Sequence, residues 1–157
     1  MHKRVSSFIL NEEVPENRYI TKIGKAKIVK KGSDLTIVTL SAQVEKSLEV
    51  ANKLQNNNIN VEVIDLISIV PMDIETICSS VSKTKRLLII DEDYLSFGLS
   101  GEIITRVIEN LGINNIKQIE RLGNPDVPVP AAKSLEELTI PNIASIENKI
   151  IQMSKSF

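Results

Sequence analysis

The chain has one cysteine, one histidine and no tryptophan among its 157 residues. A single thiol excludes an internal disulfide and any cysteine-rich zinc site. One histidine, His2, lies beside the initiating methionine and offers a general base with no nucleophile to pair with it. Aromatics are only 3% of the residues, so no base-stacking platform can be assembled. Neither charge sign dominates: 19 Lys and Arg face 20 Asp and Glu. That balance lacks the basic excess of a nucleic-acid binder. No apolar run approaches the length of a membrane span. The N-terminal Phe8–Leu10 patch is followed at once by acidic residues, with no small-residue cleavage site. These absences predict a cytoplasmic or equivalent reducing interior, with no nucleic acid and no membrane as partner.

What is present is a globular composition, 42% hydrophobic and 25% charged. One domain-sized core is expected from this length. Residues 1–22 are charged, interrupted by Pro15 and irregular in apolar spacing, and read as a connector. From Gly24 the pattern becomes orderly. Ala26 and Ile28 predict a short edge strand, and Leu35–Leu40 a buried strand. Ser41 is placed to cap a helix carrying Val44, Leu48, Ala51 and Leu54 at helical spacing. Val61–Leu66 reads as the next strand, and Pro71-Met72-Asp73 opens a second helix. Leu87–Ile90 forms a third strand, ending in Asp91-Glu92-Asp93. Ser100 is placed to cap a third helix, which Gly112 ends. Ile116–Leu122 is a strand, residues 123–133 an extended proline-rich crossing, Leu135–Leu138 a helical turn, and Ile143–Met153 a last helix. Strands alternating with helices predict a three-layer α/β/α sandwich: a mostly parallel sheet with an antiparallel edge strand.

Several groups carry two readings. The strand ends bring Ser41, Asp65, Ser68 and Asp91–Asp93 to where parallel sheets bind ligands. Asp91, Glu92 and Asp93 can hold a hard cation or act as an acid/base pair; the alternative is a solvated strand end. Gly98, Ser100 and Gly101 can form an anion site at a helix start, or simply let the turn pack closely. Cys78 sits on an apolar helix face and reads as a small core residue. No glycine-rich turn follows the first buried strand, and no phosphate loop occurs.

Five strings in register resemble one family. VPENRYITKIGKAKIVKKGSDLTIVTLS, VEVIDLISIVPMDIETI, RLLIIDEDYLSFGLSGEI, NPDVPVPAAKSLEEL and TIPN resemble the C-terminal domain of the beta subunit of thiamine-diphosphate-dependent 2-oxo acid dehydrogenases, of the transketolase group. Pyruvate, branched-chain and acetoin versions share these strings. The resemblance implies that residues 1–22 connect to a missing N-terminal pyrimidine-binding domain and that residues 23–157 are the transketolase-type C-terminal domain. It implies no catalytic residue, cofactor ligand or metal ligand here. Thiamine diphosphate and a divalent cation would belong to the intact enzyme, which oxidatively decarboxylates a 2-oxo acid and acylates lipoamide. This chain alone is expected to be inactive. Its partners would be the alpha and beta subunits and the subunit-binding domain of the acyltransferase. The resemblance points to the Phe157 carboxylate and to Asp126 as docking residues for basic groups on that domain. Two alternatives remain: a free-standing α/β ligand-binding or regulatory domain, and the C-terminal domain of another transketolase-group enzyme such as a deoxyxylulose-phosphate synthase.

Overall fold

In the computed structural model, which describes residues 16–17 and 19–155, the run Leu35–Thr39 (β2) is buried at every position. Its Leu-Thr-Ile-Val-Thr composition suits a strand covered on both faces. Parallel partners flank it: Val61–Asp65 (β3) on one side and Arg86–Tyr94 (β4) on the other. Lys27–Lys30 (β1) pairs antiparallel with β3 at one edge, and Gln118–Asn124 (β5) pairs parallel with β4 at the other. The sheet order is β1-β3-β2-β4-β5. The mostly parallel sheet with its antiparallel edge is therefore as the residue pattern anticipates.

Helices Gln43–Gln55 (α1) and Ile143–Ser154 (α5) cover one face. There Leu35, Ile37, Leu88 and Ile90 pack against Val50, Leu54, Ile146 and Ile150. Ile74–Thr84 (α2) and Leu99–Leu111 (α3) cover the other, where Val38, Ile64, Leu87 and Ile89 meet Ile77, Val81, Ile103 and Val107. The short helix Lys133–Thr139 (α4) follows the proline-rich crossing. No helix among the described residues is long and apolar enough to cross a membrane.

Three local expectations change. Ser41 does not cap α1 with its side chain: it takes a left-handed φ of 57°, and the helix begins after Ala42. The sharp exit from β2 uses the Ser41 backbone instead, whose carbonyl accepts from Val44 N. Ser100 is likewise not a cap but a buried residue inside α3, whose cap position is Gly98. The acidic triplet does not end its strand: β4 continues through it to Tyr94, with an irregularity against β5 between Ile90 and Tyr94.

Two buried carboxylates tie the N-terminal edge of the domain to α2. Asp73 caps the helix, accepting from Thr76 N at 3.3 Å and Thr76 Oγ1 at 2.9 Å, and also from Ala26 N at 3.0 Å. Glu62 accepts from Ser80 Oγ and Lys83 Nζ, each at 2.5 Å, and from Gly32 N at 3.2 Å. Burial pushes both carboxyls up. The Lys83 and Ser80 donors outweigh it at Glu62, and the Ala26 and Thr76 donors outweigh it at Asp73. Both groups are held below their ordinary values of 4.5 and 3.8. A lowered folded pKa stabilises the fold above the unfolded value, and that stabilisation is lost as pH falls through the folded one. Asp73→Ala is expected to cost about 1–2 kcal/mol by urea denaturation at neutral pH. The gap to the wild type should narrow as pH drops below 3.8. A gap independent of pH would show that the carboxylate's charge contributes nothing.

Candidate functional site

The carboxyl ends of the parallel strands form the feature on which this chain's chemistry concentrates. Each of β2, β3 and β4 leaves the sheet through a left-handed residue that is not glycine: Ser41, Ile67 at φ 54° and Phe97 at φ 58°. That conformation costs an L-residue about 1–2 kcal/mol. Asn58 and Lys85, each at φ 60°, take the same conformation before β3 and β4 at the other end of the sheet, so it is the turns rather than one face that use it.

The polar residues foreseen here are turned onto their own chain. Asp65 Oδ1 accepts from Ile67 N at 3.1 Å, and Ser68 Oγ donates to Pro71 O at 2.8 Å. Asp91 Oδ1 accepts from Glu92 N at 2.7 Å, and Asp93 Oδ1 from Tyr94 N at 3.0 Å. Glu92 Oε1 accepts from Gln43 Nε2 at 3.1 Å, joining the end of β4 to the start of α1. Ser41 and Asp65 share an open cleft of about 430 Å³ with Lys27 and Glu45, but the Asp91–Asp93 triplet does not line it. Among the described residues, no three His, Cys, Asp or Glu side chains gather to hold a metal ion. Cys78 is half-buried, and burial pushes its thiol up, away from thiolate chemistry.

The β4–α3 loop is rigidly braced. Leu95 N donates to Asn124 O at 2.9 Å, and Arg121 Nη1 donates to Leu95 O at 2.7 Å. Asp126 is exposed, and its carboxylate accepts from Ser96 Oγ at 2.5 Å and Ser96 N at 3.3 Å. The crossing segment and the loop are thereby joined. Phe157 and His2 lie outside the described residues. Gly98 acts through close approach: a Cβ there would stand 2.1 Å from Tyr94 O, and one at Gly123 2.8 Å from Asp93 O.

Around these strand ends lie exposed apolar side chains, of which Phe97, Val70, Ile67 and Ile69 were not singled out by residue pattern. Phe97 is 109% exposed and Val70 86%, with Ile67, Ile69, Val127 and Val129 also exposed. The available signal was the pair Leu95 and Phe97, apolar residues standing between β4 and α3 rather than on a strand or helix face. Exposed apolar side chains of this kind, when contiguous, are the surface that protein–protein contacts use. Gly98→Ala is expected to destabilise the chain by about 1–3 kcal/mol, because the backbone oxygen it meets cannot give way as a side chain can. An unchanged melting temperature would show that the loop is not packed as described.

Comparison with known proteins agrees with this geometry. The family model for the transketolase C-terminal domain matches residues 24–146. The pyruvate dehydrogenase E1 component subunit beta of Rickettsia bellii is 41% identical over 138 residues, covering 88% of this chain and 42% of the relative. The mitochondrial subunit beta-1 of Arabidopsis thaliana is 41% identical over 140 residues, covering 89% of this chain and 39% of its own length. The chain thus spans about two fifths of these curated relatives. Among solved structures, a split-gene transketolase, an inactive β4 tetramer, superposes with a TM-score of 0.73 at 25% identity, covering 89% of this chain and 45% of its own. The transketolase of Campylobacter jejuni shares the fold, with a TM-score of 0.56 at 15% identity over 91% of this chain and 20% of its own. The match over residues 24–146 places this chain in the transketolase C-terminal domain family, and the curated relatives it resembles are pyruvate dehydrogenase E1 beta subunits.

Proposed function

We propose that this chain serves as the C-terminal assembly domain of a pyruvate dehydrogenase-type E1 beta subunit. Residues 23–157 form that domain, and residues 1–22 lead to it from a pyrimidine-binding domain. The observation that carries the reading is the exposed apolar rim at the strand ends, in a chain about 40% identical to E1 beta subunits across most of its length. A free ligand-binding domain would need polar groups aimed outward from the strand ends. Here Asp65, Asp91 and Asp93 each accept from their own backbone instead.

The whole enzyme's work would then be the oxidative decarboxylation of a 2-oxo acid and acyl transfer to lipoamide. Thiamine diphosphate would supply the carbanion chemistry there, together with a divalent cation. The described residues do not fit that group: no metal-binding cluster gathers among them, and the strand-end carboxylates are committed locally. No catalytic step is therefore assigned to this chain. Its role is to present surface to the alpha and beta subunits and to the acyltransferase. Asp126 and the Phe157 carboxylate would meet basic groups of the acyltransferase's subunit-binding domain. Charge-assisted bonds of this kind are short and directional.

The purified chain is expected to co-elute with the E1 alpha subunit of the same organism, and to decarboxylate no pyruvate when thiamine diphosphate and magnesium are supplied to it alone. Turnover by the lone chain would contradict the reading. Asp126→Asn keeps an acceptor for Ser96 but removes the charge. It should weaken titrated binding of the acyltransferase's subunit-binding domain by about tenfold. An unaltered affinity would reduce Asp126 to a loop brace.

A further inference from the structure

We propose that residues 24–32, with β1 at their centre, form a strap that opens as a unit while the parallel core stays folded, and that the carboxylates of Asp73 and Glu62 are its two latches. Such a strap is independent of the assembly role. It concerns how the chain enters the sheet: its opening lets the residues before it change position without unfolding the strands.

β1 gives little to the core. Lys27 and Ile28 are exposed, and no β1 residue is among the fully buried hydrophobics. Ala26 and Val29 are only partly buried against the two core clusters. Open clefts of about 540 and 430 Å³ run along the strand, one toward α2 and the other toward α1, and Ile28 lines both. The pairing with β3 is short and irregular between Ile28 and Lys30. Few buried apolar contacts and an exposed edge mark a segment that opens at less than the global unfolding free energy.

The strap is held at its ends. Asp73 Oδ2 accepts from Ala26 N just before β1, and Glu62 Oε2 accepts from Gly32 N just after it, at 3.0 and 3.2 Å. The Asp73 and Glu62 side chains are 3% and 2% exposed. Each is also seated from the core side, Asp73 by Thr76 and Glu62 by Ser80 and Lys83. The latches therefore keep donors of their own when the strap leaves. Bonds to a charged acceptor are roughly twice as strong as neutral ones. The remaining ties are solvent-exposed and weaker: Lys25 Nζ lies 3.6 Å from Asp73, and Lys30 Nζ donates to Asn52 and Gln55 of α1. Gly24, at φ 78°, supplies a hinge at one end. At the other the chain is fixed, since Ser33 N and Asp34 N both donate to Asn60 O.

The test is native-state hydrogen exchange of the chain, read amide by amide by NMR in urea concentrations below the unfolding transition. In the wild type, protection over residues 26–32 should be about 100-fold or more below that of Leu35–Thr39, with a weaker urea dependence. Ile37→Val trims the core outside the strap. It should lower protection in β2 by about fivefold and leave residues 26–32 unchanged. Glu62→Gln and Asp73→Asn keep an acceptor but remove the charge. Each should lower protection in the strap and in β2 alike, by about fivefold, because the latch is broken in both openings. Strap amides that share the β2 urea dependence and follow Ile37→Val would show that β1 unfolds only with the whole domain, which overturns the proposal. Strap amides exchanging at their unprotected rate would show that nothing is latched. Strap protection unmoved by both carboxylate variants would remove Asp73 and Glu62 as the latches.

Discussion

Burial of β2 on both faces is the constraint from which the rest of the architecture follows. All five of its residues are enclosed, so the strand needs a hydrogen-bonded neighbour along each edge and a helical layer over each face. β3 and β4 supply the edges. The helices that return the chain to them must then run antiparallel to the strands, with their starts at the strand carboxyl ends. Every exit from the central strands therefore emerges on the same side of the sheet. The two polar residues inside β2 are accommodated by bonding rather than by exposure. Thr36 Oγ1 lies 2.7 Å from both Ser80 Oγ and Thr84 Oγ1, and Thr39 Oγ1 donates to Ile90 O at 2.9 Å.

The two ends of the sheet are used differently. Near the amino ends, Glu62 gathers Ser80, Lys83 and Gly32 into a satisfied network, which holds the β1–β2 turn against α2. A buried carboxylate with its donors in place fixes geometry more than it adds stability. At the carboxyl ends Asp73 closes the start of α2, and Phe97, Val70 and their neighbours leave apolar side chains exposed.

Much of this was legible in the residues. Leu35–Thr39 and Leu87–Ile90 announce buried parallel strands by unbroken β-rich apolar runs. Ala51, Leu54, Ile77, Val81, Ile103 and Val107 announce helix faces by their spacing, whereas Val50, equally buried, falls outside that spacing. Asp73 was recognisable as a helix opener beside Pro71. What was not legible depends on backbone conformation set by tertiary packing. Ser41 and Ser100 have the chemistry of caps, yet the exits from β2 and β4 place Ser41 in the left-handed region and Ser100 one residue inside its helix. Asp91–Asp93 looked like a strand's solvated end because carboxylates favour water. Pairing with β5 extends β4 through them. Phe97 escaped notice because an isolated aromatic in a loop has no periodicity, and its exposure arises only from the long-range ties of Ser96 and Leu95 to residues 121–126.

Under the proposed assembly role, the carboxyl end of the sheet is the face buried against other subunits. Hydrogen–deuterium exchange of the chain, free and bound to the E1 alpha subunit, tests it most directly. New protection is expected in residues 66–70, 94–98 and 125–130, with the amino-end segments 31–34 and 113–117 unchanged. Protection confined to those amino-end segments, or spread evenly over the surface, would contradict it.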